Sequence, residues 1–568
     1  MIQQHDPQHW YETNLPARER KRRGHFSTPP FLVDQILDAC GYTPERNLSR
    51  IRVLDPACGS GNFLAGATRR LLTYGEQTNR SSQQAARYIQ RNIWGFDPDP
   101  IACMLAEMQL HSTFATTYPL GDALQRLHIH QADGLAFPWE AHGNIDLFLA
   151  NPPYLASKNN DLSGYRSTHR RGQSDSYLLF LNLALQIVRP RGWIGLVLPD
   201  SMLARANATR EREQLLAETT VHHIWHLSDV FTAFVGAVVI IAQKKPPQKQ
   251  HVISWQRLRW TDHQEIKKNI NSNAQMDTNV SQILLMKQPG AELRYLLSTV
   301  EGTLLENVHN QLHGMQKRRQ AAQTLTYLGD CILIRRGEEL GKSSHLLSDN
   351  ITSTTVTPKH YQLYPVLRGG IDIHPYEIPK MSGWIAREHI KKPLERYLKP
   401  KILLVKSAGQ IRATLDLQGH IVLQTLYILQ INEKHPWRQN TEGPQFSSED
   451  ELYFFLALLN SRLLQEYIYV LHTAYKWVQP QIEQYVLSQL PIPINSTYTA
   501  KEKIISRARR LMYACSPTAP EIKLETQRDE LYEEQERAIC ALYEAALQHR
   551  YGSRISHNGV KQGVGLYD

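Results

Sequence analysis

The sequence predicts an α/β protein: a mostly parallel sheet with helices over residues 1–250, a connecting region over 251–324, an α+β region over 325–495 and a helical segment over 496–568. Three patterns carry that expectation. Up to about residue 245, short apolar, β-branched runs alternate with helix-length runs, as in parallel sheets built from crossovers. The alternation stops at Lys244-Lys245-Pro246-Pro247, and a polar Asn/Gln/Lys-rich stretch follows. From about 325, short strand-like segments with basic turns take over, and after 496 the periodicity is helical, most clearly over Glu530–Leu542. The acidic face of that last helix reads as solvated surface.

The first strand (Ile51, Val53, Leu54) enters the turn Asp55-Pro56-Ala57-Cys58-Gly59-Ser60-Gly61, and a helix begins near Phe63. Gly59 and Gly61 let the backbone approach a ligand at a helix N-terminus. The spacing is not the dinucleotide fingerprint, and the lysine of a phosphate-binding P-loop is missing. The second strand, Asn92–Phe96, ends in Asp97-Pro98-Asp99, where an acid is positioned for the two hydroxyls of a ribose. The third ends in Asp133-Gly134, an acid suited to an adenine amine. Each acid alone reads equally well as a solvated strand-end cap. The fourth strand, Ile145–Ala150, ends in Asn151-Pro152-Pro153-Tyr154. Gly-turn, acid, acid and Asn-Pro-Pro-Tyr at successive strand ends make one crevice along the carboxyl edge of a sheet.

Asn-Pro-Pro after a strand is often only a rigid turn. In this company it suits methylation of an amine whose lone pair is delocalised into a flat ring. The Asn151 side-chain oxygen and the Pro152 carbonyl would accept the amine hydrogens and return electron density to nitrogen. Pro153 fixes the loop carrying both acceptors, and Tyr154 offers a stacking face. A sulfonium methyl donor leaves as a neutral group, so the rate-determining step needs no general base.

The series resembles the S-adenosylmethionine-dependent amino-methyltransferases of DNA, and more narrowly the gamma-class (Taq-type) adenine-N6 enzymes. The resemblance covers residues 20–245 with specific motifs and about 325–495 with looser ones. It implies a Rossmann-like methyltransferase domain, S-adenosylmethionine as cofactor and double-stranded DNA as partner. In that class the motif touching the methionine end of the cofactor precedes the Gly-rich turn, as Gly24-His25-Phe26-Ser27-Thr28-Pro29-Pro30 does here. Thr-Pro-Pro is also good helix-entry chemistry, a capping hydroxyl followed by first-turn prolines. The resemblance adds that Thr28 contacts the cofactor's carboxylate. The implied cofactor set is Thr28, Asp55, Pro56, Ala57, Gly59, Gly61, Asp97, Pro98, Asp133, Gly134 and Asn151. The implied catalytic set is Asn151, Pro152, Pro153, Tyr154 and an aromatic before the strand Gly236–Ile241. Phe231 is the choice for that aromatic, with Phe234 the alternative; a phenylalanine beside a strand is by default core.

A domain of this size holds one flipped base and cannot read several base pairs, so selectivity is expected in the second half. The segments Tyr327–Gly337, Val366–Gly370 and Lys401–Asp416 resemble the Taq-type target-recognition domain, as do Leu458–Arg462 and Gln489–Ile494. Arg335, Arg336, Arg368, Lys406, Lys476 and Trp477 are its candidate DNA contacts. For any single arginine there, phosphate contact or solvated surface is the plainer reading, and for Trp477 core packing is as good.

Composition agrees. A net charge of +10 and pI near 9.1 fit a polyanionic partner. The six cysteines are scattered without a Cys-x-x-Cys pair, which predicts no zinc site, no disulfide framework and a reducing cytoplasm, a prokaryotic one as the resemblance implies. The histidines show no ligand spacing, and no metal is expected. No apolar run reaches the ~18–20 residues needed to span a bilayer. The N-terminus is polar through Arg23 and is not a signal peptide. Only about two dozen residues precede Thr-Pro-Pro, and Glu521-Ile522-Lys523 sits in a helical region without a strand-borne Asp, so no nuclease is expected in this chain. A separate cognate endonuclease of a restriction-modification system fits. Two other readings stand: methyl transfer to another planar amine or amide (RNA, protein glutamine, cytosine N4), or a non-catalytic DNA-binding module.

Overall fold

The chain divides into two compact units in a computed structural model. Unit one comprises 1–295 with 475–479, and unit two 296–474 with 480–568. The structure describes residues 27–118, 124, 126–139, 145–155, 175–228, 236–259, 276–294, 296, 302–317, 324–340, 362–369, 373–406, 409–434, 446–475, 481–494, 497–515 and 524–548.

Unit one is built on β1 (Val53–Asp55), β2 (Ile93–Asp97), β3 (His128–Gln131), β4 (Ile145–Ala150), β5 (Val188–Pro199), β6 (Thr220–Ser228), β7 (Ala237–Gln243), β8 (Val252–Arg259) and β9 (Met276–Ser281). Among the described residues they form one sheet in the order β3-β2-β1-β4-β5-β7-β6-β8-β9. The first five are parallel, and β7 runs against both its neighbours. The interior strands read as unbroken apolar runs because both faces are covered; Ala237 to Ala242 are wholly buried. Helices α1 (Pro30–Ala39), α2 (Asn62–Gln77), α3 (Ser82–Asn92), α4 (Pro100–Thr117), α5 (Ser176–Ile187) and α6 (Thr209–Glu218) complete its frame. Strand order reverses between β1 and β4, and there the carboxyl ends part to open a crevice.

Two expectations are corrected here. Thr28 does not cap α1: the cap residue is Pro29, with no side-chain cap, because the helix starts one residue later at Pro30. The polar stretch at 244–250 is not a boundary either. It is the surface turn into β8, which joins the sheet beside β6 and buries Ile253 and Trp255 completely. The expected connecting region is therefore divided, its first part extending the sheet of unit one and α7 (Leu304–Lys317) belonging to unit two.

Unit two holds a sheet of β11 (Ile332–Arg336), β17 (Leu426–Ile431), β14 (Lys401–Val405) and β15 (Ala413–Asp416), and a smaller one of β13 (Gly383–Ala386), β12 (Leu363–Leu367) and β16 (Ile421–Val422). The strands β10 (Leu325–Tyr327) and β18 (Pro491–Pro493) pair antiparallel and bring the two ends of the 325–495 region together. The helices are α8 (Ser448–Leu459), α9 (Arg462–Leu471), α10 (Tyr498–Ala514) and α11 (Leu524–Gln548).

The helical tail is an integral part of this unit. Glu533 and Glu534 are exposed as expected, but each meets a partner, Arg462 and Arg507. Glu536 is buried, and both its oxygens accept from the Arg462 amide at 3.0 and 3.1 Å, capping α9. Burial pushes its carboxyl up to about 7. The Tyr543 hydroxyl donates to the Pro491 carbonyl at 2.7 Å, tying α11 to β18.

Candidate active site

The crevice at the switch between β1 and β4 is a cavity of about 570 Å3, within the range of small-molecule sites. Thr28, Asp55, Pro56, Ala57, Gly59, Asp97, Pro98, Asp133, Gly134, Asn151 and Pro153 line it. Residues up to 153 positions apart in the chain thus meet around one space, since Ser27 and Phe180 both border it.

The Gly-rich turn is held by β2. The Gly59 amide donates to Asp97 Oδ2 at 3.0 Å, and the Cys58 amide donates to the Phe96 carbonyl at 2.8 Å. Asp97 Oδ1 accepts from the Asp99 amide at 2.8 Å, so this carboxylate orders both the turn and its own strand end. Asp99 caps α4, its Oδ1 accepting from the Ile101 amide at 2.9 Å. Gly61 does not line the cavity. It is the left-handed cap of α2 (φ +93), and a Cβ there would stand 2.9 Å from the Ala106 Cα. A Cβ on Gly134 would lie 2.2 Å from the Pro56 carbonyl oxygen, so the third strand end and the turn are in closest approach there. Asp133 Oδ1 accepts from the Leu135 amide at 2.9 Å.

Burial raises the Asp55 carboxyl to about 8; the Ala57 amide opposes that rise and the neighbouring Asp97 charge adds to it. A cation in the cavity would meet two carboxylates whose mutual repulsion it relieves.

Residues 151–155 leave β4 as an extended loop clamped by Ser176 at the start of α5. The Ser176 hydroxyl donates to the Pro153 carbonyl and accepts from the Leu155 amide at 2.9 Å, while the Ser176 amide donates to the Leu155 carbonyl at 3.0 Å. Pro152 is buried, and the Tyr154 hydroxyl donates to the Val197 carbonyl of β5 at 3.4 Å. Burial, then the charge of Asp200, pushes the Tyr154 phenol above its ordinary range, so it stays protonated. Phe231 and Phe234 lie outside the described residues.

Several lining residues were not singled out from the sequence: Ser27, Asn62, Phe180 and Ser176 among them. Asn62 Nδ2 donates to Ser27 Oγ (2.7 Å) and to the Thr28 carbonyl (2.8 Å), joining α2 to the entry of α1. The Asn after the last glycine of the turn and the Ser opening an apolar helix were visible signals, but their partners are distant in sequence.

Residues 8–288 match the model of the N-6 DNA methylases, and 364–492 the model of a TaqI-like C-terminal specificity domain. Residues 8–288 are thus an N-6 DNA methylase domain. It is 23% identical to the Type II methyltransferase M.VspI of Vibrio sp. (strain 343), over 54% of this chain and 65% of that protein. It is 30% identical to M.PaeR7I of Pseudomonas aeruginosa over 31% and 32%. The chain thus spans less than two thirds of either relative. The fold resembles that of the Type IIL restriction-modification enzyme MmeI in complex with DNA, with a TM-score of 0.53 at 12% identity, covering 94% of this chain and 78% of that one.

In unit two, loops bearing three of the basic candidates converge on the β16–β17 turn. The Lys406 amide donates to the Thr425 carbonyl (2.9 Å), the Gly369 amide, next to Arg368, donates to Thr425 Oγ1 (3.0 Å), and the Gly337 amide, next to Arg336, donates to the Leu426 carbonyl (3.4 Å). Arg336 is exposed. Arg335 is engaged within the sheet, donating to Gln430 Oε1 at 3.0 Å. Lys476 and Trp477 lie outside the described residues.

Proposed function

We propose that this protein is a sequence-specific DNA methyltransferase that flips an adenine from the duplex and methylates its N6 amine. The observation that supports it most is that Asn151 and Pro153 border the same cavity as Asp55, Asp97 and Asp133. S-adenosylmethionine, the cofactor of this family, supplies an electrophilic methyl on a sulfonium. The cavity fits it: a glycine cradle that tolerates no added Cβ at 134, a carboxylate at the second strand tip for ribose hydroxyls, and an acid at the third for an adenine amine. Asp55 and the Thr28 region would receive the methionine end.

The chain's own part is positioning. Asn151 Oδ1 and the Pro152 carbonyl accept the two hydrogens of the target amine, drawing its lone pair out of the ring and toward the methyl donor. Ser176 holds the loop so that both acceptors stay in place, which is where much of the rate advantage of an oriented site arises. The hydrogen bond of Tyr154 to β5 fixes the ring on which the base stacks, and Phe231 would close the other face. Arg336, Arg368 and Lys406 would meet the duplex from unit two. A place in a restriction-modification system fits this reading, with a separate endonuclease as the partner it would call for.

Labelled S-adenosylmethionine is offered to DNA, RNA and protein from a heterologous host, and the nucleosides are analysed. N6-methyladenine at one short DNA motif supports the reading; label only in RNA, protein or cytosine overturns the substrate. Asn151→Ala is expected to lower methylation by about 10²–10³, the cost of losing one oriented polar group, with DNA binding retained. Unchanged methylation would remove Asn151 from the mechanism.

A further inference from the structure

At the opposite end of the same sheet lies a second concavity, of about 870 Å3. It sits at the amino ends of β2 and β3, where α3 turns into β2. The methyl-transfer cavity is at the carboxyl ends, a strand length of roughly 15 Å away at about 3.3 Å per residue. Arg50, Arg80, Arg87 and Arg91 line it, with Tyr74 and Tyr88. None of the four guanidinium groups forms an ion pair among the described residues. Arg80 Nε is buried and has no hydrogen-bond partner there. Arg87 and Arg91 stand one turn apart on α3, a spacing at which like charges repel.

The floor is prearranged. Asn47 Oδ1 accepts from the Tyr74 hydroxyl (3.0 Å), the Ser49 amide (3.1 Å) and the Ser49 hydroxyl (2.6 Å). Asn92 Nδ2 donates to the Ser49 carbonyl at 2.9 Å. His128 is stacked on Trp94, 4.0 Å between ring centres and 7° between planes, and the Trp94 indole donates to the Arg91 carbonyl at 3.1 Å. The arginines therefore project from a fixed base, and no described residue neutralises the charge they concentrate.

We propose that this groove binds phosphoryl groups, as a site distinct from the methyl-transfer cavity. Four arginines exceed what a single carboxylate can neutralise, and the planar guanidinium fork matches phosphate oxygens two at a time. The phosphates come either from a nucleic-acid backbone or from a small polyphosphate compound. A duplex lying across the carboxyl edge does not reach the amino edge without bending, so the groove takes a separate stretch of backbone or a separate molecule.

The test uses the full chain without methyl donor, so its outcome is independent of the reaction proposed above. Binding of a short fluorescein-labelled duplex is followed by anisotropy against salt for wild type, R87A/R91A and R87K/R91K. Each lost phosphate contact lowers the log–log salt slope by about 0.9, so the alanine pair is expected to lower it by roughly 2, with the lysine pair near wild type. In parallel, inorganic tripolyphosphate is titrated in thermal unfolding. A lowered slope supports the groove with backbone phosphate as its ligand. An unchanged slope with saturable tripolyphosphate protection, lost in R87A/R91A, supports it with a small phosphate compound. Wild-type behaviour of R87A/R91A in both arms overturns it.

Discussion

Ser176 is the residue whose removal tests the site most directly. Ser176→Ala deletes the hydroxyl that donates to the Pro153 carbonyl and accepts from the Leu155 amide, while the Ser176 amide to Leu155 bond survives. Each net hydrogen bond contributes about 0.5–1.5 kcal/mol, and both deserted groups are only part-buried, so water satisfies some of what is lost. The expected cost is about 1–3 kcal/mol, read as a fall of a few degrees in Tm. The larger effect falls on kcat. The two acceptors sit one and two residues before Pro153, and a loop displaced by about 1 Å costs on the order of 10²-fold. Radiolabelled methyl transfer at saturating cofactor should drop by 10- to 100-fold, with the affinity for S-adenosylmethionine changed little. Ser176→Thr keeps the hydroxyl and should recover part of the rate. If Ser176→Ala retains kcat within about twofold, the clamp does not position the reactive loop.

Gly134→Ala forces a Cβ against the Pro56 carbonyl and should abolish cofactor binding in calorimetry while leaving unit two folded. For Asp55, the folded carboxyl titrates near 8 and the unfolded one near 3.8. Between those values the native state keeps a proton the unfolded chain has lost, so the ligand-free protein should lose stability as pH climbs through that window. Affinity for a cationic ligand should rise over the same range, and Asp55→Asn should flatten both curves. In unit two, Lys401 and Asp416 are buried 2.5 Å apart, with His420 Nδ1 2.9 Å from the same carboxylate. Burial alone would raise Asp416, but the His420 hydrogen bond and the Lys401 charge outweigh it and hold the acid at about 2. Lys401→Met strands that carboxylate and should destabilise the unit by about 3–5 kcal/mol in denaturant unfolding, with Asp416→Asn added on top restoring part of it.

The strand ends were legible because each combines an apolar run with residues of special backbone or acceptor chemistry. Asp55 to Gly61, Asp97, Asp133 and Asn151 to Tyr154 all lie at or just past the carboxyl ends of strands as that pattern put them, although Gly61, Pro152 and Tyr154 do not border the cavity. The edge of unit one was not legible. Strands β8 and β9 follow a polar turn, and their membership of the sheet depends on pairing with β6. The role of the tail was hidden for a similar reason. Glu536 looks like any acid on a helical face until α11 packs and it meets the amino end of α9.

By itself the sequence determined the local chemistry: which turns need glycine, which strand tips carry acids, and which loop can accept the hydrogens of a planar amine. Those are properties of short segments, whose period and turn residues dictate their conformation. Only the tertiary structure decided that Ser176 clamps that loop, that Asn62 fastens the first helix to the Gly-rich turn, and that four arginines share one groove at the far edge of the sheet. Each is a meeting of segments distant along the chain, fixed by strand order and register, and no local pattern encodes it.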